Sequence, residues 1–573
     1  MPVHNNEIAD IFETLADLLE IEDANPYRVR AYRNAARTVR SHTRSMSDLV
    51  EQKKDLSKIP TIGKDLAKKI KTIVVTGKLP LLEKVRSRTP NILSDIMSVK
   101  GFGPKRVKTL YQKLKIQSLD DVRRAARSGK VRKLKGFGKK TEKTLLQRLE
   151  HFSTETARTR LITAEKIASP LVNYLKKSKG VKKVVIAGSY RRCKETVGDL
   201  DILVTAQKSS NVMKRFIKYE EVDTVISKGS TRSTVILRSG LSVDLRVVPQ
   251  ISYGAALVYF TGSKAHNIAL RKIAVKKHLK INEYGVYKNK SRIAGKTEKS
   301  VYKTVGLPFI PPELRENHGE FFAAHRDGLP DLVSLDNIRG DLHCHSKASD
   351  GRDTIKKMAI AASELGYEYL SINDHSKRIT VAHGLNKKRL LEQIKTIDKI
   401  NAKLSNIVIL KSIEVDILED GSLDLPDSIL KELDFTVCAV HHKFDLSRTK
   451  QTERILRAMD NPYFNILAHP TGRLINKREP YQIDLEKIML SAAEQQCFME
   501  LNANPDRLDL TDDACMMAKD TGVKVAISTD AHSISGLSHM RFGINQARRG
   551  WLQAEDIINT RSLKALKKLF RRS

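Results

Sequence analysis

Three aspartates and a glycine-bearing turn carry the chemistry that stands out in this chain. Gly188-Ser189-Tyr190-Arg191-Arg192 is followed by Gly198-Asp199-Leu200-Asp201, and later by Val243-Asp244-Leu245-Arg246. Val184 to Ala187 before the first glycine and Ile202 to Val204 after the second aspartate are apolar and largely β-branched, which predicts strand, turn, strand. Asp199 and Asp201 then lie two apart on one strand and share a face. Asp244, in the strand-like run Ser242 to Val248, completes a three-carboxylate cluster. Close carboxylates repel one another unless a hard cation such as Mg²⁺ holds them together. The small Gly188-Ser189 turn admits a phosphate to the backbone, and Arg192 adds a fixed cation. Together these are the parts of a nucleotidyl-transfer centre, in which metals activate a hydroxyl, clamp a triphosphate and stabilise the leaving pyrophosphate. An isolated Asp-x-Asp is usually a solvated hairpin; the whole spacing argues otherwise.

A second set of residues lies in the back half. Asp341-Leu342-His343-Cys344-His345 puts two histidines on one strand face, followed by Ser349-Asp350-Gly351, Asn373-Asp374-His375-Ser376 and Ser412-Ile413-Glu414-Val415-Asp416. Val440-His441-His442, Leu467-Ala468-His469-Pro470 and Ser528-Thr529-Asp530-Ala531-His532 come later. Apolar strands such as Tyr369 to Ile372, Ile407 to Leu410, Phe435 to Val440 and Val523 to Ile527 precede nearly all of them. Helical stretches separate the strands, as in a β/α barrel whose strand C-termini supply functional groups. A single histidine after a strand is usually a satisfied polar residue. Seven in this arrangement, with Asp350, Glu414 and Asp530, fit a multinuclear site for Zn²⁺ or Mn²⁺.

The elements in front of both sets bear on what they act upon. Leu56 to Lys64, Met97 to Lys105 and Val131 to Lys139 each read as an apolar residue, a short glycine-bearing turn and a basic helix, the pattern of a helix-hairpin-helix motif. Gly63, Gly101, Gly103, Gly136 and Gly138 let the backbone turn tightly and bring helix N-terminal amides against a phosphate, with Lys64, Lys105 and Lys139 beside them. Such a grip holds DNA without reading bases. The first copy carries Thr61 where glycine is expected, which either weakens its grip or requires a different turn.

Charge points the same way. The net charge is +37, yet residues 335 to 573 hold 36 Lys and Arg against 33 Asp and Glu, about +3, leaving about +34 for the front. Cations at that density call for a polyanion, so the front should hold nucleic acid. Length suggests several compact units. Five cysteines without paired metal-like spacing argue for a reducing compartment and against a disulfide framework. No apolar run has the length of a membrane span and residues 1 to 10 lack a signal-peptide core, so a cytoplasmic protein without membrane contact is expected.

At this point residues 1 to about 318 resemble a family X DNA polymerase, the group that includes polymerase β. The resemblance rests on Tyr27-Arg28-Val29-Arg30-Ala31-Tyr32-Arg33, the hairpins, the aspartate signature, Tyr259-Phe260-Thr261-Gly262-Ser263 and Ile281-Asn282-Glu283-Tyr284-Gly285. It implies that Asp199, Asp201 and Asp244 bind two Mg²⁺ ions, and that Gly188, Ser189, Arg192 and Gly198 contact the phosphates. It also implies that Tyr259 and Phe260 sense the sugar, that Gly262 binds the nucleotide, Asn267 a base edge and Arg271 the nascent pair, and that Arg28 and Tyr32 meet DNA. Lys264 stands where polymerase β has an acidic residue; its stem is expected to pack on the incoming base. Cys193 replaces a glycine, and the turn is therefore expected to avoid positive φ. The resemblance places Lys69 at the nucleophile position of a 5′-deoxyribose phosphate lyase. Such a lysine needs a depressed pKa, which Lys64, Lys68 and Lys71 would favour.

Residues 335 to about 560 resemble the polymerase and histidinol phosphatase (PHP) family, a distorted (β/α)₇ barrel holding up to three metals. The implied ligands are His343, His345, Asp350, His375, Glu414, His441, His469, Asp530 and His532, with Glu414 bridging. Such a site activates water near neutral pH and clamps the oxygens of a phosphodiester.

The expected fold is thus multidomain, α and α/β: a helical N-terminal domain (1–88), a second helix-hairpin-helix domain (89–152), a mixed-sheet palm (153–262), a thumb (263–318), a linker (319–334) and the PHP domain (335–573). The expected function is gap-filling DNA synthesis in base excision repair, on gapped or primer-template DNA with dNTPs, by a monomer. The PHP domain would add 3′–5′ exonuclease, with abasic-site endonuclease or 3′-phosphatase chemistry at the same site. Two other readings stay open: a PHP half that is a small-molecule phosphoesterase, and a non-catalytic DNA-end scaffold.

Overall fold

The computed structural model of the chain describes residues 5–40, 42, 46–89, 93, 96–97, 103–116, 118–134, 136–150, 158–207, 210–326 and 328–570. It divides into two compact units. One comprises Met1–Thr159, Glu165–Arg192 and Gly198–Gly328; the other comprises Arg160–Ala164, Cys193–Val197 and Leu329–Ser573.

The first unit opens with helices because its apolar residues recur at helical spacing. Ile8, Phe12, Leu15 and Leu19 line one face of Asn5–Ile21 and are buried against Val29, Ala36, Ile70 and Ile73. Pro26 starts the helix Pro26–Arg40, where its missing N–H costs no bond, and Gly77 ends Lys64–Thr76 in the left-handed region. Pro104–Leu114, Leu119–Arg127 and Lys139–Glu150 follow, the second fixed by a reciprocal Ser118–Asp121 capping box.

A five-stranded sheet comes next, in the order Val181–Ile186, Leu200–Ala206, Ser242–Val248, Arg232–Leu237, Val222–Ser227. Leu200–Ala206 and Ser242–Val248 are its parallel pair, and their register sets Asp201 directly beside Asp244. Two sequence expectations change here. The turn expected at Gly188 is a short helix, Gly188–Arg191, and Cys193 takes φ +54, the conformation it was expected to avoid. The thiol's small volume at an incompletely buried position tolerates what a β-branched side chain would not.

Helices Tyr253–Thr261 and Lys264–Lys276, a three-stranded antiparallel sheet and helix Glu298–Thr304 complete this part. The chain beyond them, read as linker from residue 319, first forms the helix Glu320–His325. Glu320 is fully buried, and its carboxylate lies 2.7 Å from His266 Nδ1. That pairing makes the segment part of the first unit's packing.

The second unit is a parallel barrel. Its strands run Gly340–Asp341, Tyr369–Ile372, Val408–Lys411, Glu414–Asp416, Val437–Ala439, Ile466–Leu467, Phe498–Asn502 and Val525–Ser528. Val408–Lys411 and Glu414–Asp416 are consecutive pieces of one stave broken at Ser412-Ile413, so the described residues form seven staves. A bridge from Cys344 to Ala531 joins first to last. Strands buried on both sides read as continuous apolar runs, as Val437–Ala439 does.

Candidate metal centres and nucleic-acid interface

In the first unit, Asp199, Asp201 and Asp244 each offer a carboxylate oxygen, and these oxygens lie within 4.8 Å of one another. Gly188 is required beside them: its φ is +63, and a Cβ there would meet Asp201 Oδ2 at 2.7 Å. Asp244 also accepts a short hydrogen bond from Thr234 Oγ1 on the next strand, with Arg232 3.6 Å away. Three converging carboxylates, one buried, form the donor set of a hard divalent cation.

A cavity of about 420 Å³ opens over Asp199 and Asp201. Gly188, Ser189, Arg192, Gly198, Tyr259, Phe260, Gly262, Lys264, Asn267 and Arg271 all line it, so every residue expected to bind nucleotide is gathered there. Arg192 Nη1 donates to the Thr261 carbonyl at 2.5 Å, and Nε donates to Glu316 at 2.8 Å, which fixes the guanidinium. Arg191 turns away into a fork with Glu298, which also accepts from the buried Arg315. Burial alone would raise the Glu298 carboxyl; the two guanidinium groups outweigh it and hold it below the usual range. Asn267 Nδ2 donates to the Tyr259 carbonyl at 2.7 Å, tying the base-side residue to the sugar-side segment. Arg246 lies 4.3 Å over the Phe260 ring. Arg158 also lines the cavity, close to Gly198. It was missed because nothing in its local sequence sets it apart; Glu298 and Glu316 were missed because each is over a hundred residues from its arginine.

The hairpins hold their phosphate-facing edges open. A Cβ on Gly63, Gly103, Gly136 or Gly138 would meet nothing within 4 Å, so packing does not demand these glycines and the amides behind them stay accessible. Lys64, Lys105, Lys139 and Arg28 are exposed; Gly101 lies outside the described residues. Thr61 adopts φ +73, close to the +86 of Gly136, so the first hairpin keeps the turn despite its side chain. Its hydroxyl is 2.6 Å from that of Thr38.

Two expectations fail in this domain. Tyr32 is 2% exposed, its ring packed by Phe12, and so does not face DNA. Lys69 was expected to lose affinity for its proton, but its ammonium donates to Asp65 and lies 5.6 Å from the Tyr32 ring. Burial opposes the charge, yet Asp65 and Tyr32 prevail and the pKa is raised. The neighbouring lysines count for less than one carboxylate a turn away.

In the second unit the nine expected ligands converge at the strand C-termini. Glu414 is at the centre: His375 Nδ1 is 2.7 Å from Oε2, while His469 Nε2 and His441 Nε2 lie 3.0 and 3.2 Å from Oε1. His345 Nε2 is 3.2 Å from Asp530 Oδ1 and 3.1 Å from His343 Nε2. Asp350 is flanked by His532 at 3.3 Å and His375 at 3.5 Å. His442 stands apart from these groups; its carbonyl accepts from Arg454.

This donor set fits metal ions. Glu414 Oε2 and His375 Nδ1 are 2.7 Å apart, yet neither has a hydrogen-bond partner; His345 Nδ1 and His469 Nδ1 are also buried and unpartnered. Buried lone pairs left without hydrogen bonds beside a carboxylate suit a cation. Asp530 at φ +53 and His469 at φ +26 hold strained backbone where the donors converge. Against burial, the imidazoles around it keep the Glu414 carboxyl well below its ordinary range, while Glu414 and Asp350 push His375 up to about 10. Burial, with His532 alongside, lowers His345 to about 4. Protons occupy positions that an ion would take over.

Two residues behind the ligands escaped the sequence reading. Glu500 lies 2.7 Å from His343 Nδ1 and accepts from the His469 backbone N–H at 2.6 Å, and Asp416 Oδ1 lies 3.1 Å from His441 Nδ1. Such carboxylates fix ring orientation and tautomer. The signal was there: Glu500 lies between the apolar Met499 and Leu501 of a buried strand, and Asp416 follows Glu414 by two on one face.

Comparison with known proteins agrees with this geometry. Residues 3–79 match a helix-hairpin-helix domain, 93–150 a SAM-like helix-hairpin-helix tandem, 161–249 the DNA polymerase beta palm, 256–316 the DNA polymerase beta thumb and 341–504 the PHP domain. Over 575 residues and the full length of both chains, the protein is 36% identical to the DNA polymerase/3′–5′ exonuclease PolX of Bacillus subtilis (strain 168). A probable phosphatase of Thermoanaerobacter sp. (strain X514) is 29% identical over 234 residues, 38% of this chain and 89% of that protein. A probable phosphatase of Acetivibrio thermocellus is 28% identical over 201 residues, 34% of this chain and 78% of that protein.

Proposed function

This chain belongs to the family X DNA polymerases that carry a PHP domain, and from that premise we propose that it fills short gaps in DNA during base excision repair and trims 3′ ends at its second site. It is a DNA polymerase with 3′–5′ exonuclease. The observation that supports the synthetic reading best is the cavity that brings Ser189, Arg192, Tyr259, Asn267 and Arg271 over Asp199 and Asp201.

Asp199, Asp201 and Asp244 would hold two Mg²⁺ ions, which supply activation of the primer hydroxyl and neutralisation of the triphosphate. Ser189 and Arg192 receive the phosphates of a dNTP, with Arg192 already oriented by Glu316 and the Thr261 carbonyl. Tyr259 and Phe260 form the wall against the sugar, their rings edge to face at 5.0 Å. The hairpins grip gapped or primer-template DNA by its backbone, as the charge of the front half favours.

At the second site, His343, His345, Asp350, His375, Glu414, His441, His469, Asp530 and His532 would hold up to three Zn²⁺ or Mn²⁺ ions, which activate water and neutralise charge on a phosphodiester. Glu500 and Asp416 orient two of the rings. The same chemistry accommodates abasic-site endonuclease and 3′-phosphatase activity, and the likeness to probable phosphatases supports phosphoester hydrolysis. We place the protein in the cytoplasm as a monomer; its cysteines are free, and no helix among the described residues is long and apolar enough to cross a membrane.

Incorporation on one-nucleotide gapped DNA with Mg²⁺ tests the reading. Extension by the wild type and none by Asp199→Ala is expected; equal extension by both overturns it.

A further inference from the structure

Two arginines beside the histidine cluster have no role in the account above. Arg507 lies in the loop after the strand Phe498–Asn502, with Nε 3.5 Å from Asp530 Oδ2 and Nη1 buried without a hydrogen-bond partner. That same Asp530 oxygen already accepts from Asn502 Nδ2 at 3.2 Å, so Asp530 is held without the arginine.

The loop that presents Arg507 is rigidly built. The backbone N–H groups of Arg507 and Leu508 both donate to the Asn504 carbonyl, at 2.8 and 2.9 Å, and Asn504 Oδ1 accepts from the Asp506 N–H. Ile475 N–H ties the Asp506 carbonyl to a second loop, and Leu508 sits at φ +43. Strain held by that many bonds belongs to a group whose position matters.

Arg478 comes from the second loop. It packs over Phe444 at 4.5 Å and donates to the Gly472 carbonyl, in the turn that His469 begins. The bond from Ile475 N–H to the Asp506 carbonyl sets this loop against the one that carries Arg507. Asp509 already offers Arg478 a negative charge, whereas Arg507 keeps an unpartnered donor beside the ligand cluster, which suits an anion. If Arg507 served only to neutralise Asp530, Nη1 would not be left unpartnered.

We propose that Arg507, backed by Arg478, is the anion clamp of the hydrolytic site and grips a non-bridging oxygen of the scissile phosphate. The proposal rests on the reading of this site as a phosphoesterase and adds the group that recognises the phosphoryl oxyanion. A planar guanidinium suits that task, because its fork meets two oxygens or one oxygen and Asp530 at once.

The test uses the full chain loaded with Mn²⁺ and inorganic phosphate as the probe. Isothermal titration should show Arg507→Ala binding phosphate about tenfold or more weakly than wild type, with Arg507→Lys intermediate. Metal content by mass spectrometry should stay at the wild-type value. Removal of a 3′ nucleotide should fall by roughly 10²–10³-fold in kcat, with partial rescue by added guanidinium. Unchanged phosphate affinity overturns the proposal. Loss of metal together with phosphate binding also overturns it, by making Arg507 a prop of Asp530. Should the wild type bind phosphate through Arg507 yet trim no 3′ end, the clamp stands and the nuclease reading falls; should Arg507→Ala trim as fast as wild type, the clamp falls and the nuclease reading stands.

Discussion

Lys69 is ion-paired to Asp65 one turn earlier on the helix Lys64–Thr76, with the Tyr32 ring against its ammonium. A Schiff base needs the free amine, and here the pair holds the proton on. Borohydride trapping on 5′-deoxyribose phosphate DNA should therefore be weak at neutral pH and rise as alkali removes that proton. Asp65→Asn should shift the rise to lower pH, and Lys69→Ala should abolish it. A trapping profile that Asp65→Asn leaves in place would show that the amine is controlled from elsewhere.

Asp201 and Asp244 stand side by side across the parallel strand pair. Removing either carboxylate should reduce nucleotide incorporation by about 10³-fold or more, since metal ions at such sites are worth several kcal/mol of transition-state stabilisation. Single-turnover extension of a one-nucleotide gap measures it. Trimming of 3′ ends should survive Asp201→Ala; if both activities vanish, the variant has unfolded or the sites are coupled.

Glu414 touches more of the histidine cluster than any other expected ligand described here, so Glu414→Ala and His343→Ala should abolish Mn²⁺-dependent 3′ trimming while synthesis persists. Glu500→Ala acts one step back, through His343. It should lower metal affinity by about 10–100-fold, measured by competition with a chelator, and excess metal should restore its activity. Wild-type affinity in Glu500→Ala would count against the orienting role.

Burial pushes Glu320 up to about 7, and drives its partner His266 well below its ordinary value. The folded protein thus binds the Glu320 proton more tightly than the unfolded chain does. Taken by itself the Glu320 proton stabilises fully below the ordinary carboxylate range, and that contribution declines as pH rises towards and through 7, by roughly 3 kcal/mol in all; the lowered His266 acts in the opposite sense, costing stability as pH falls below its ordinary value. Glu320→Gln cannot ionise. Its melting curve should match wild type near pH 5 and lie above it at pH 8; parallel curves across that range would contradict the assignment.

The sequence readings that succeeded were local or periodic. Asp201 lies on the strand Leu200–Ala206, as its apolar run foretells, with Asp199 in the bend just before it rather than on the strand, and most of the residues proposed as PHP ligands follow apolar runs whose strand character is plain. Readings that needed distant partners failed. Lys69 is the local exception: it was judged by the lysines around it, without the carboxylate of Asp65 four residues back. Tyr32 looked available on a basic helix, and only packing with Phe12 shows it is core. Helix Glu320–His325 was read as linker because His266, which pairs with Glu320 and stacks on Phe321, lies fifty-four residues back from Glu320. Cys193 and Thr61 were judged by residue preference, which neighbouring structure overrode.

The donors of the barrel site are drawn from residues as far apart as 343 and 532, contributed by strands all around the wall. An ion shared among them would act as a reversible staple, closing covalent and coordinate bonds into one ring through nearly the whole of that unit. Closing so long a loop removes much freedom from the unfolded chain. Metal loading and mechanical integrity of the barrel would then be a single property, and a backbone cut in one of its outer helices would leave two fragments still fastened at the centre.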